Sequence, residues 1–72
     1  MAVEVVAHIT GNVWKIEKQV GETVAEGDTV VILESMKMEI PVEAPTAGTI
    51  ASIHTEEGVA VDEGAVLATI AE

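Results

Sequence analysis

"GNVWKIEKQVGETVAEG", residues 11–27, is answered 37 positions later by "GTIASIHTEEGVAVDEG", residues 48–64. The glycines set the frame. Gly11, Gly21 and Gly27 are ten and six residues apart, and Gly48, Gly58 and Gly64 repeat those intervals. The same shift of 37 overlays residues 3–35 on residues 40–72. Eight pairs are then identical: Val5/Val42, Ala7/Ala44, Gly11/Gly48, Ile16/Ile53, Gly21/Gly58, Val24/Val61, Glu26/Glu63 and Gly27/Gly64. Val13/Ile50, Val30/Leu67 and Leu33/Ile70 match as apolar residues. Matched spacing with matched chemistry marks an internal duplication.

Val, Ile and Thr supply 26 of the 72 residues, and Trp14 is the sole aromatic. Such β-branched side chains are stiff at χ1 and favour strands. Strands are expected near 3–9, 12–18, 23–25 and 29–35, then near 38–44, 49–55, 60–62 and 66–71. VGET and AEGD supply turns in the first half, EEGV and DEGA in the second. TVVIL (29–33) is continuously apolar and reads as a strand buried in a sandwich core. Val13/Ile16 and Ile50/Ile53 break simple alternation at the same place in each half, which a strand bend or a bulge there would account for. Neither half can bury its apolar face alone. Two such sheets face to face can, so the fold is expected to be an all-β sandwich or flattened barrel with approximate two-fold symmetry.

A chain of 72 residues makes one domain, 1–72, which buries only about 60% of its unfolded surface. No cysteine is present, so neither a disulfide nor a thiolate metal site supports the fold. The opening MAVEVVAHIT has no basic stretch before an apolar one and is not expected to act as a secretory signal. Its apolar runs fall far short of the ~20 residues of a membrane span. A cytoplasmic protein is the expectation. The formal net charge of −10 argues against phosphate backbones and anionic membrane surfaces. His8 and His54 fall at non-equivalent positions of the two halves. No triad, glycine-rich phosphate loop or metal-ligand spacing accompanies them.

The halves meet at residues 35–40, so Lys37 falls at a hairpin tip between the last strand of one and the first of the next. That tip is unusual. Two-residue hairpin turns require φ > 0 and favour Gly, Asn or Asp, and Ser35-Met36-Lys37-Met38 offers none. Either another turn type forms or poor turn residues are kept for another reason. Lysine on an exposed tip is ordinary, and methionine can fill gaps in a core. Neither fact explains a tip built from two methionines.

Glu34-Ser35-Met36-Lys37-Met38-Glu39 resembles the attachment motif of biotinyl domains, usually written A-M-K-M. The resemblance extends over nearly the whole chain, through VGETVAEGDTVVILESMKMEIPVEAPTAGTI and the closing EEGVAVDEGAVLATIAE. It implies a flattened β-barrel of two four-stranded antiparallel sheets with the lysine on an exposed hairpin. It further implies that a biotin protein ligase couples biotin to the Lys37 amine. The biotin then carries carboxylate between a biotin carboxylase site and a carboxyltransferase site. Met36 and Met38 match the family's flanking methionines. Two departures stand out. Ser35 replaces the commoner alanine, and His8 occupies the position equivalent to Pro45, where the family often has proline in both halves. The chain also lacks the inserted "thumb" that some members carry.

Seen as a carrier, the protein is a substrate of its ligase and has no catalysis of its own. An ordinary lysine amine is almost wholly protonated at neutral pH. Nothing in the sequence would activate it, so activation falls to the ligase and its mixed anhydride. Amide formation removes one positive charge and takes the formal net charge from −10 to −11. About ten bonds separate the Lys37 Cα from the biotin ring, an arm of roughly 12–14 Å. Such a swinging arm is short for joining distant sites, so movement of the whole domain is expected. The sequence is expected to carry no linker at either end, and so to diffuse freely or dock in a complex. Glu34 and Glu39 bracket the tip and are candidates, with Ser35, for partner recognition. Ordinary surface carboxylates would look the same. Lys15 and Lys18, expected within a strand near Trp14, are alternative acceptors better read as solubilising residues. A lipoyl carrier modified on Lys37 is the near alternative, since lipoyl domains share the hairpin lysine. They usually place an acidic residue before it and lack the paired methionines. An unmodified β interaction module is the remaining one. The sequence does not specify an oligomer, and a monomer is expected.

Overall fold

The computed structural model describes residues 2–72. Eight strands follow one another: β1 (Ala2–Val6), β2 (Gly11–Ile16), β3 (Thr23–Val24), β4 (Thr29–Ser35), β5 (Met38–Glu43), β6 (Gly48–Ile53), β7 (Ala60–Val61) and β8 (Val66–Ala71). They form two four-stranded antiparallel sheets, ordered β1-β8-β6-β3 and β5-β4-β2-β7. No helix of the described residues is long and apolar enough to cross a membrane.

The shift of 37 carries β2 onto β6 and β3 onto β7, residue for residue. It carries β1 onto β5 and β4 onto β8, and so transforms one sheet order into the other. The two-fold expected from the glycines is therefore present. The composition of the sheets differs from the expectation. Each sheet mixes the two halves: β1 and β3 of the first flank β8 and β6 of the second, and β5 and β7 of the second flank β4 and β2 of the first. The turns interlock in the same way. Gly21 and Ile50 are joined by Gly21 N–H to Ile50 C=O (2.8 Å), and Ile50 N–H reaches Glu22 C=O (2.9 Å). The equivalent pair runs from Gly58 N–H to Val13 C=O (2.7 Å) and from Val13 N–H to Val59 C=O (2.8 Å).

The bulges fall at equivalent positions as well. Registers slip between Val13 and Lys15 on β2 and between Ile50 and Ser52 on β6, leaving Trp14 and Ala51 as extra residues. A bulge places two consecutive side chains on one face. On β2 it turns Trp14 and Lys15 both outward and returns Ile16 toward the core. This accounts for the broken alternation at Val13/Ile16. A second pair of slips leaves Val30 extra on β4 and Leu67 extra on β8. There the consequence is inward: Val30 and Val31, like Leu67 and Ala68, are all fully buried. The continuous apolar run TVVIL is thus a bulged strand pointing two neighbours into the core.

That core is wholly aliphatic. Val5, Ala7, Val13, Val24, Val30, Val31, Leu33, Val42, Ala44, Ile50, Leu67, Ala68 and Ile70 are buried, and no buried polar or charged residue joins them among the described residues. Six pairs of this set are duplication partners. Dry aliphatic packing of this kind contributes roughly 25 cal/mol for each Å² of apolar surface removed from water.

Several strands end earlier than expected. β1 stops at Val6 where 9 was expected, β2 at Ile16 where 18 was, and β6 at Ile53 where 55 was. β3, β5 and β7 each end one residue short of the expectation. The reason is topological. β1, β2, β3, β5, β6 and β7 are each followed by a crossing from one sheet to the other. At the ends of β1 and β5 the last inward residue is pinned before the crossing: Ala7 N–H donates to Ala65 C=O (2.9 Å) and Ala44 N–H to Asp28 C=O (2.8 Å). Residues 8–10 and 45–47 then bend, and Pro45 and its counterpart position, His8, line one surface hollow.

The first glycine of each half allows a close approach. A Cβ on Gly48 would collide with the Ala71 carbonyl oxygen and lie 2.6 Å from Ile70 Cγ2. A Cβ on Gly11 would lie 2.7 Å from the Glu34 carbonyl oxygen. Gly48→Ala is therefore expected to destabilise the fold by about 1–3 kcal/mol, measured by denaturant unfolding. A loss under about 0.5 kcal/mol, ordinary for a surface change, would show that β6 and β8 can part without penalty.

Candidate functional site

Six strand ladders build the two sheets, and only the one between β4 and β5 joins consecutive strands. It is the sole hairpin of the described residues, and it carries Lys37. Ser35 pairs with Met38, so Met36 and Lys37 form a two-residue turn. Their φ angles are +52° and +65°. These are the only non-glycine residues described with positive φ. The turn is of the primed kind that normally takes Asn-Gly. Of the two possibilities left open by the sequence, the structure takes the second: the demanding turn forms with residues ill suited to it. A left-handed conformation raises the energy of an ordinary L-residue by roughly 1–2 kcal/mol.

The methionines lie outside the core. Met36 is 87% exposed and Met38 is 58% exposed. Filling a core gap therefore does not explain them. Lys37 is exposed beside them. Beneath the tip, Glu34 and Glu39 occupy directly opposed positions on β4 and β5, both exposed. Like charges in that relation destabilise a sheet by some tenths of a kcal/mol. Asn12 on β2 lies on the other side of Glu34. Ser35 is partly buried at the root of the turn, where a Cβ on Gly11 would sit 3.4 Å from the Ser35 Cβ. Gly11 thus lets β2 brace the strand that delivers the tip. In the sequence Gly11 stands out only as a marker of the repeat, and this role does not show. Its offset from the two turn-forming glycines was the available signal.

The opposite end of β5 fixes where the tip sits in the molecule. β5 runs six residues from Met38 to Glu43, and a short bend leads to Gly48, which lies against Ala71. Ala71 pairs with Ala2. The described ends of the chain therefore meet at the end of the sandwich remote from Lys37.

The other candidates lie elsewhere. Lys15 is on β2 opposite Ile32, on a sheet face. Lys18 falls beyond the end of β2, in the crossing to β3, and not within a strand as expected. His54 Nε2 is 2.9 Å from both Ser52 Oγ and Thr69 Oγ1, a polar cluster on the outer side of the β1-β8-β6-β3 sheet. Among the described residues no group of three His, Cys, Asp or Glu side chains is placed to hold a metal ion.

The geometry defines a small scaffold that presents one primary amine on the only hairpin among the described residues. Comparison with known proteins assigns it. The family described as "Biotin-requiring enzyme", which spans biotin and lipoyl domains, matches residues 1–70. The chain is 44% identical over 59 residues to the biotin/lipoyl attachment protein of Bacillus subtilis (strain 168), covering 82% of this chain and 81% of that one. It is 43% identical over 65 residues to the biotin carboxyl carrier protein of Streptococcus mutans, covering 90% of this chain and 50% of that one. Among solved structures, the Kluyveromyces lactis urea carboxylase superposes with a TM-score of 0.94 at 35% identity, over 99% of this chain and 6% of that chain. The chain spans half the length of the Streptococcus protein. It belongs to the biotin/lipoyl attachment family.

Two substitutions probe the tip. Met36→Asn with Lys37→Gly supplies the residues the turn prefers and should raise unfolding stability by about 1–2 kcal/mol. No gain in a denaturant melt would mean that the tip holds no strain. Met36→Leu or Met38→Leu should leave stability within roughly 1.5 kcal/mol, and a larger loss would place these side chains in the packing after all.

Proposed function

We propose that Lys37 is the residue to which biotin is covalently joined, by a biotin protein ligase, and that the protein serves as the carrier of a biotin-dependent carboxylase. The carrier class follows from the family. The observation that carries the residue assignment is the pairing of an exposed lysine with a strained two-residue turn on the only hairpin described. Biotin, once attached, supplies the ring that takes up and gives up carboxylate. This chain supplies the rest: an exposed amine, a rigid ladder that holds it away from the body of the domain, and recognisable neighbours.

The residues fit an acyl group at this position. Attachment needs an amine that a ligase active site can enclose, and a narrow tip with exposed side chains offers that. Pairing to β4 and bracing by Gly11 keep the attachment point on a regular element, which limits its wandering. Recognition of this lysine over Lys15 and Lys18 rests, in our reading, on Met36, Met38, Ser35, Glu34 and Glu39. The opposed glutamates concentrate negative charge just below the amine and suit a basic partner surface, and charge of this kind chiefly sets encounter rate and discrimination. Biotin carboxylase and carboxyltransferase sites are the proposed stations between which the domain moves, in a cytoplasmic setting and as a monomer.

A lipoyl group on Lys37 is the second reading, favoured by the breadth of the family itself, whose Bacillus member carries both groups in its name. Intact mass after incubation with biotin, ATP and a biotin protein ligase separates the two. The expected result is one biotinyl addition, mapped to the peptide containing Lys37, and none on Lys37→Arg although that variant keeps its fold. Labelling of Lys37→Arg would overturn the site. A lipoyl addition in cells with no biotin uptake would move the chain to the lipoyl class, and no addition of either kind would leave an unmodified β module.

A further inference from the structure

We propose that Met36 is a site of reversible oxidation by peroxide, and that its sulfoxide suppresses loading of the neighbouring Lys37. The inference rests on Lys37 being the biotin acceptor. Four observations meet here. Met36 is the most exposed large apolar side chain described, at 87%. No cysteine is present, so no thiol competes for a two-electron oxidant. The core contains no methionine among its buried residues, so oxidation at the tip disturbs no packing. The turn places Met36 immediately before the acceptor lysine, with both backbones fixed at positive φ.

The reaction balances without a cofactor. A lone pair on Met36 Sδ attacks one oxygen of hydrogen peroxide. The O–O bond breaks, an S–O bond forms, and the remaining oxygen leaves as water after proton transfer. Sulfur is oxidised by two electrons and peroxide is reduced. A thioether that was flexible and apolar becomes polar and chiral, and sulfoxide reductases reverse the change. Any enzyme that encloses the Lys37 amine must also cover the side chain one residue away. A surface shaped for a soft apolar thioether would have to bury the sulfoxide oxygen without a partner, which disfavours docking. Met38 is less exposed and is paired with Ser35, so it should react after Met36.

The test uses the whole protein. Hydrogen peroxide is added in graded doses, sulfoxide is located by peptide mapping, which also separates any change at Met1, and biotin transfer by ligase is timed. The expected result is Met36 sulfoxide appearing first, an unchanged circular dichroism melt, and loading slowed by about tenfold or more. Methionine sulfoxide reductase should restore the rate. Met36→Leu, compared with its own untreated rate, should lose that sensitivity at the same dose. Met36 sulfoxide with undiminished loading overturns the proposal. So does a protein that loads normally yet resists oxidation at Met36, or a Met36→Leu variant slowed as much as the parent. Untreated protein that never accepts biotin is a different failure, and it removes the acceptor reading together with the switch.

Discussion

The structure depends on an exchange between its two halves. Neither half pairs its strands with itself alone. β1 is completed by β8, β3 by β6 and β7 by β2, so each sheet closes only when both copies of the repeat are in place. The docking of residues 21–22 on Ile50 and of residues 58–59 on Val13 locks the same exchange at the turns. A dry aliphatic core is then shared, with duplication partners facing it from opposite sheets. Such a fold forms through contacts distant in sequence, and chain closure must precede most of its stabilisation. One contact is local. The β4–β5 ladder joins consecutive strands, and its register is set along their whole length, with Glu43 already opposite Thr29.

This explains how the tip can tolerate its sequence. In an isolated hairpin the turn selects the register, and Met36-Lys37 would be a poor choice. Here the register is imposed from below by β2 on one side and by core-facing Leu33, Val42 and Val31. The turn has no alternative to positive φ, and the surrounding structure absorbs the strain. Residues at the tip are consequently free to serve chemistry outside the chain. The exposed methionines, the lysine and the opposed glutamates all run against local stability, and they lie together at one end.

Much of this was legible in the sequence. The glycine intervals gave the duplication, and the duplication placed Lys37 at the junction. The broken alternation at Val13/Ile16 and Ile50/Ile53 marked an irregularity, a bend or a bulge, and the register slips make it a bulge. The lateral partner of each strand was not legible. Apolar alternation reports which face is buried and says nothing of which strand lies alongside, so two self-contained sheets and two interleaved ones look alike. Strand ends were missed at residues 7–9, 17–18 and 54–55 for a related reason: β-prone residues continue into segments that must cross between sheets. The turn type at Met36-Lys37 was undecidable locally, since the conformation comes from the register and not from the residues that adopt it.

One feature bears on handling. The sandwich is 33 Å long and 17 Å across, and Ala2 and Ala71 sit together at the end away from Lys37. Anything spliced onto either end, a purification tag, a solid support or a neighbouring module, is attached at a handle while the lysine projects from the far end of the shaft. A flexible leash joined there would swing the domain as a lever, so that its own length adds to the reach of the lysine amine.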